Sequence, residues 1–199
     1  MVRLSEIRKS LAHRFTEPVA RLLARTAITP SAITWLGFLL AIGAAALIIT
    51  GHLFAAGLVV LIAGFSDILD GALARHTNRI THFGAVLDST LDRLSEAVVL
   101  LGILVLYTRE QLIAPILLVG FALLGSQLVS YIRARAEALG IQCEVGLFTR
   151  PERVIVLVLG LLLNQTPYAL VTALAIIAVF SFITAGQRLS YVWQQTKVK

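Results

Sequence analysis

The chain has 199 residues, of which 58% are hydrophobic and only 14% charged, with a net charge of +6 and a mean hydropathy of +0.87. A soluble domain carries roughly 25% charged residues, so an ordinary water-soluble globular enzyme is excluded. The single cysteine, Cys143, excludes an intramolecular disulfide and reads as a free thiol in a cytosolic loop.

The first 25 residues carry charges throughout and do not read as a signal peptide. Leu4, Ile7, Leu11, Phe15, Val19 and Leu22 recur at three- and four-residue steps, opposite Arg3, Lys9 and Arg14. This pattern predicts an amphipathic juxtamembrane helix over 1–26, lying in the interface of the cytoplasmic leaflet.

Six apolar runs follow, at 32–50, 53–66, 94–107, 111–132, 154–163 and 166–185. Several approach or exceed the roughly 20 residues that cross a bilayer core. They are too continuous for barrel strands, and only helices then satisfy their own backbone in lipid. The expected fold is an all-α integral membrane protein with six transmembrane helices forming one domain over 27–199. The fifth run is too short alone. Its helix is expected to begin near Pro151, a favoured first helical residue, carry Arg153 in its first turn and reach about Asn164.

With six spans both termini share a side. Sixteen of the 17 basic residues then fall on one face; only Arg109 lies opposite. The positive-inside rule makes that face cytoplasmic and the protein a multi-pass cell-membrane protein.

The run DILDGALARHTNRITHFGAVLDSTLD (67–92) concentrates four aspartates in this oil. Asp67 and Asp70 are three apart and end the second helix; Asp88 and Asp92 are four apart and begin the third. Each pair shares a helix face, and the polar turn RHTNRITHFG folds the pairs together. Carboxylates so close repel strongly at low dielectric. They can shed protons, pair with Arg75, Arg79 or Arg93, or bind metal. All-oxygen ligands suit hard cations, Mg²⁺ or Mn²⁺, and a two-metal site does phosphoryl chemistry. His76 and His82 in the turn read as surface residues. Gly71, Ala72, Ala74, Gly84 and Ala85 would bare the backbone to a bulky phosphorylated ligand, or pack helices closely.

Asp67-x-x-Asp70-Gly71-x-x-Ala74-Arg75, then Gly84-x-x-x-Asp88-x-x-x-Asp92, closely resembles the motif of the CDP-alcohol phosphotransferase family, with every defining position filled. The resemblance implies a membrane enzyme that displaces CMP from a CDP-linked donor by attack of an alcohol, with two Mg²⁺ or Mn²⁺ per site. By position, Asp67, Asp70, Asp88 and Asp92 would hold the metals, and Asp92 would also be the general base. Gly71, Ala74, Arg75 and Gly84, with Thr81, would line the nucleotide and diphosphate site. A stretch at the start of the first helix, Pro30, Ser31 and Thr34, would touch the cytidine end. Ser31 stands where Asn or Asp is more usual in the family; its alternative role is to cap the helix.

YIRARAE (131–137), RPER (150–153) and Arg188 resemble the prokaryotic branch of that family whose acceptor is inositol phosphate, with Arg133 where Lys is frequent. A phosphorylated polyol brings a dianion that suits guanidinium forks, so Arg133, Arg135, Arg150, Arg153 and Arg188 are its candidate ligands, with membrane anchoring as the alternative. The donor implied is CDP-diacylglycerol or its archaeal ether counterpart, giving phosphatidylinositol phosphate and CMP. Glycerol 3-phosphate, giving phosphatidylglycerol phosphate, is the competing acceptor, because charge alone does not separate the two. A divalent-cation transporter would use the same aspartates, but they sit near one face rather than at the midplane. The resemblance also implies a homodimer; no nucleic acid is expected among the partners.

Overall fold

The computed structural model describes residues 28–77, 81–166 and 168–197. The amphipathic stretch at 1–26 and Arg79 lie outside these residues. The described chain is all helical: α1 (Pro30–Ile49), α2 (Leu53–His76), α3 (His82–Arg109), α4 (Ile113–Ala138), α5 (Arg150–Leu162) and α6 (Ala169–Lys197).

The helix starts nearest the aspartates are fixed by local chemistry. Thr29 caps α1, its hydroxyl accepting from Ala32 N at 3.3 Å, with Pro30 as the first helical residue. The capping role considered for Ser31 therefore belongs to Thr29. Thr81 caps α3, accepting from Gly84 N at 2.9 Å. Thr149 opens α5 in a capping box, its own N–H donating to Glu152 Oε2 at 2.8 Å. This box starts α5 at Arg150, one residue before the expected Pro151, and the helix ends at Leu162.

The helices close into a ring. α1 packs on α2 and α3, α2 on α5, α5 on α6, α6 on α4, and α4 on α3. Buried Ile48, Leu100, Ile103, Val119, Leu161 and Leu174 fill the centre. Small residues set the spacing: a Cβ on Gly102 would sit 3.0 Å from Ala45 Cα, so α1 and α3 touch there backbone to backbone. The outer faces are oily, with Leu36, Leu39, Leu61, Ile62, Phe121 and Val179 all exposed. A soluble monomer rarely shows so much apolar surface; this is a multi-pass membrane protein.

Four helices, α1, α2, α4 and α6, are long and apolar enough to cross a bilayer by themselves. The expected six differ for two physical reasons. α5 has 13 residues, about 20 Å at 1.5 Å per residue, against a core of about 30 Å. α3 has 28 residues, but its first fifteen carry Asp88, Asp92, Arg93 and Glu96.

Candidate active site

The fold brings the four aspartates to one end of the ring. Asp70 is buried; its Oδ2 accepts from Thr34 Oγ1 at 2.7 Å, which ties α1 to α2. Asp67 and Asp88 lie within electrostatic reach of Asp70, and Asp67, Asp70 and Asp88 within reach of Asp92. This mutual repulsion is opposed by a guanidinium from far along the chain. Arg150, at the start of α5, places Nη2 2.7 Å from Asp67 Oδ2 and Nη1 2.7 Å from Asp92 Oδ2.

Arg150 was expected on an acceptor phosphate, and Arg75, Arg79 or Arg93 as the arginines able to pair with the aspartates. Among the described residues the arginine that lies on the carboxylates is Arg150. Arg93 donates to the carbonyl of Ser89 one turn back, and Arg75 lines the neighbouring cleft. Neighbours in sequence point along their own helices, whereas α5 packs on α2 and delivers Arg150 across the site.

The carboxylates fit a divalent cation. The donors are hard oxygens, and Asp92 Oδ1 is buried with no hydrogen-bond partner among the described residues, a costly arrangement for a charged group unless a cation completes it. Among the described residues, no three His, Cys, Asp or Glu side chains are already gathered around one point; Asp67 and Asp92 are both held by Arg150.

A cleft of about 570 Å³ opens beside Asp70 and Asp88. It is lined by Thr29, Pro30, Ser31, Gly71, Ala74, Arg75, Thr81, Gly84 and Ala85 as well as the two aspartates. Of the residues expected around a nucleotide, only Thr34 is not on its wall, being turned onto Asp70 behind it. A second opening, of about 710 Å³, runs from Asp67, Asp88, Asp92 and Arg150 between apolar walls that include Leu61, Ile62, Phe65, Ile68 and Ile155.

The remaining acceptor candidates divide. Arg153 is 1% exposed and grips Glu96 with Nε to Oε1 at 2.6 Å and Nη2 to Oε2 at 2.8 Å. Arg188 is buried, donating to Val145 O at 2.9 Å and Val129 O at 2.6 Å, and so holds the 139–149 connection to α4. Arg133 is exposed and pairs with Glu137 at 2.8 Å. Arg133 and Arg153 both lie within electrostatic reach of Arg188. Arg135 is exposed. Cys143 is a free thiol, as expected, but buried.

A sequence profile of CDP-alcohol phosphatidyltransferases matches residues 27–186. The chain belongs to this family. It is 41% identical over 191 residues to archaetidylinositol phosphate synthase of Methanothermobacter thermautotrophicus, covering 95% of this chain and 94% of that protein. It is 39% identical over 200 residues to phosphatidylinositol phosphate synthase of Mycobacterium tuberculosis, covering 97% and 92%. Among solved structures, the Mycobacterium tuberculosis enzyme with CDP-DAG bound superposes with a TM-score of 0.83 at 39% identity, over 90% of this chain and 94% of that one. The same enzyme with manganese and citrate gives 0.80 at 39% identity, over 89% and 88%. Family membership makes this chain a transferase and sets aside the cation-transporter reading.

Three features of this CDP-alcohol phosphatidyltransferase escaped the sequence reading. Glu96 lies one turn beyond Asp92 on α3 and holds Arg153. Gly37 lets α1 approach the carboxylates, since a Cβ there would lie 3.1 Å from Asp67 Oδ1. The third is the Arg150 bridge itself. A signal existed for the first: Asp88, Asp92 and Glu96 continue a four-residue step along one helix face.

Proposed function

We propose that this CDP-alcohol phosphatidyltransferase moves the phosphatidyl group of CDP-diacylglycerol, or its ether counterpart, to inositol phosphate, releasing CMP. The observation that carries this reading is the cleft: seven of the residues expected around a CDP group line one cavity that ends at Asp70 and Asp88. The relatives named above, one of them solved with CDP-DAG, support the donor and the acceptor.

Asp67, Asp70, Asp88 and Asp92 would hold two divalent ions, Mg²⁺ or Mn²⁺, which when bound neutralise the donor diphosphate and the departing CMP. Manganese in the Mycobacterium tuberculosis structure supports a divalent cofactor. The remaining work belongs to side chains. Pro30, Ser31, Gly71, Ala74 and Gly84 give a low wall against which the nucleotide packs, and Arg75 and Thr81 supply donors at its edge. Asp92 Oδ1, without a hydrogen-bond partner among the described residues, takes the proton of the acceptor hydroxyl. The acceptor oxygen bonds to the lipid-bearing phosphorus, the bond from that phosphorus to the CMP oxygen breaks, and CMP leaves with the electron pair. Arg133, Arg153 and Arg188, with Arg150 and Arg135 at the margin, receive the acceptor's phosphate. The apolar opening between α2 and α5 receives a lipid chain.

In this reading the domain runs over 27–199, and the six helices cross the membrane with both ends and the site cytoplasmic. The interfacial helix at 1–26 precedes them, and the unit is a homodimer. The asymmetry of the basic residues supports the orientation. Purified protein given CDP-diacylglycerol and inositol phosphate should release CMP and form a lipid with the mass of phosphatidylinositol phosphate. CMP release without that lipid would overturn the reading.

A further inference from the structure

α3 and α5 are not neighbours in the ring, yet two ion pairs join them, one helical turn apart. Asp92 meets Arg150 at 2.7 Å, and Glu96 meets Arg153 at 2.6 Å. The spacings match: four residues on α3 and three on α5, each about one turn. The two rungs differ in setting. At the Asp92 rung the side chains keep 21% and 25% exposure; at the Glu96 rung, 6% and 2%. The outer rung faces the openings where substrates enter; the inner one is sealed.

We propose that Glu96 is a positioning residue for the acceptor site, fixing the α5 arginines against α3 while the outer rung works. Its two oxygens take Nε and Nη2 of Arg153. A bidentate fork leaves the guanidinium one orientation, and the third nitrogen, Nη1, is buried without a partner among the described residues. That nitrogen belongs to a guanidinium within electrostatic reach of Arg188, which in turn feels Arg133. Glu96 thus fixes the plane of the guanidinium and leaves Nη1 as its one nitrogen not committed to the fork. The desolvation cost of a buried ion pair often exceeds its attraction, and apolar residues of like volume often do as well for stability. The pair is therefore a poor stabiliser but a good jig. It also holds α5 in register when Asp92 exchanges the fork of Arg150 for an acceptor hydroxyl.

This inference rests on the acceptor reading given above, and its test separates the two. The full-length protein in detergent micelles is assayed for CMP release with inositol phosphate and CDP-diacylglycerol varied in turn, alongside thermal unfolding. Glu96→Gln should raise KM for inositol phosphate at least tenfold and leave KM for the CDP donor within about twofold. Leu100→Ala, one turn further along α3 and 1% exposed, should lower the unfolding temperature and move neither KM. Should Glu96→Gln fail to fold, the double variant Glu96→Gln/Arg153→Gln leaves no lone buried charge; it should regain stability but not acceptor affinity. Unchanged acceptor KM in Glu96→Gln, or a double variant with native KM, overturns the inference while native activity with inositol phosphate upholds the reading. A native enzyme that ignores inositol phosphate overturns both.

Discussion

Thr34 Oγ1 donates to Asp70 Oδ2 at 2.7 Å, so a hydroxyl on the first helix orients a carboxylate at the end of the second. The same hydroxyl lies 3.1 Å from Pro30 O, one turn back on α1. A hydrogen bond to a charged group is worth about 1.5–3 kcal/mol. Thr34→Val keeps the shape and deletes the donor; KM for the CDP donor should rise about tenfold or more, while Thr34→Ser stays near native. Steady-state kinetics with the donor varied decide it, and equal constants for native and Thr34→Val would show that the bond orients nothing.

Divalent cations should be obligatory. Four carboxylates, of which one guanidinium pairs only Asp67 and Asp92, cannot neutralise a diphosphate. CMP release should stop in EDTA and return with Mg²⁺ or Mn²⁺, and full activity after rigorous metal removal would contradict the metal assignment.

Asp92 and Asp70 should fail differently. Asp92→Asn removes the proton acceptor, so turnover should fall by at least about 10² with donor binding largely kept. Asp70→Asn weakens the metal and with it the donor. Donor binding titrations on both variants distinguish the roles; identical curves would show that they are not divided.

Packing makes a separate forecast. Gly102 sits against the Ala45 backbone, which cannot yield as a side chain can, so Gly102→Val should destabilise by about 1–3 kcal/mol and lower the unfolding temperature in detergent. Gly43 has nothing within 4 Å of an added Cβ; Gly43→Ala should hold or raise stability by about 0.5–1 kcal/mol, since glycine weakens a helix interior. A thermal scan in which the two variants shift alike would contradict the close approach of α1 and α3.

The cleft was legible because its residues are local. Asp70, Gly71, Ala74 and Arg75 lie on one helix end, Thr81, Gly84, Ala85 and Asp88 on the next, and a short turn leaves them only one way to face. The helix content was legible from the apolar runs, and the start of α5 was nearly so, since Pro151 favours a first helical position. The arginines were not. Arg150 meets an aspartate 83 positions away, and Arg153 a glutamate 57 positions away. A basic residue near a cytoplasmic helix end looks the same in sequence whether it anchors the membrane, awaits an anion or neutralises a carboxylate. Helix packing alone decides among these, and here it gave Arg150 to the aspartates and Arg153 to Glu96.

The most direct measurement is a competition between acceptors. Inositol phosphate and glycerol 3-phosphate, at equal concentration with limiting CDP-diacylglycerol and Mg²⁺, are offered to the purified enzyme and the lipid products weighed by mass spectrometry. Phosphatidylinositol phosphate should dominate by at least about tenfold, with free inositol a poor substitute for its phosphate. Predominant phosphatidylglycerol phosphate, or efficient use of free inositol, would contradict the account and reduce the arginines of α4, α5 and α6 to structural and anchoring roles.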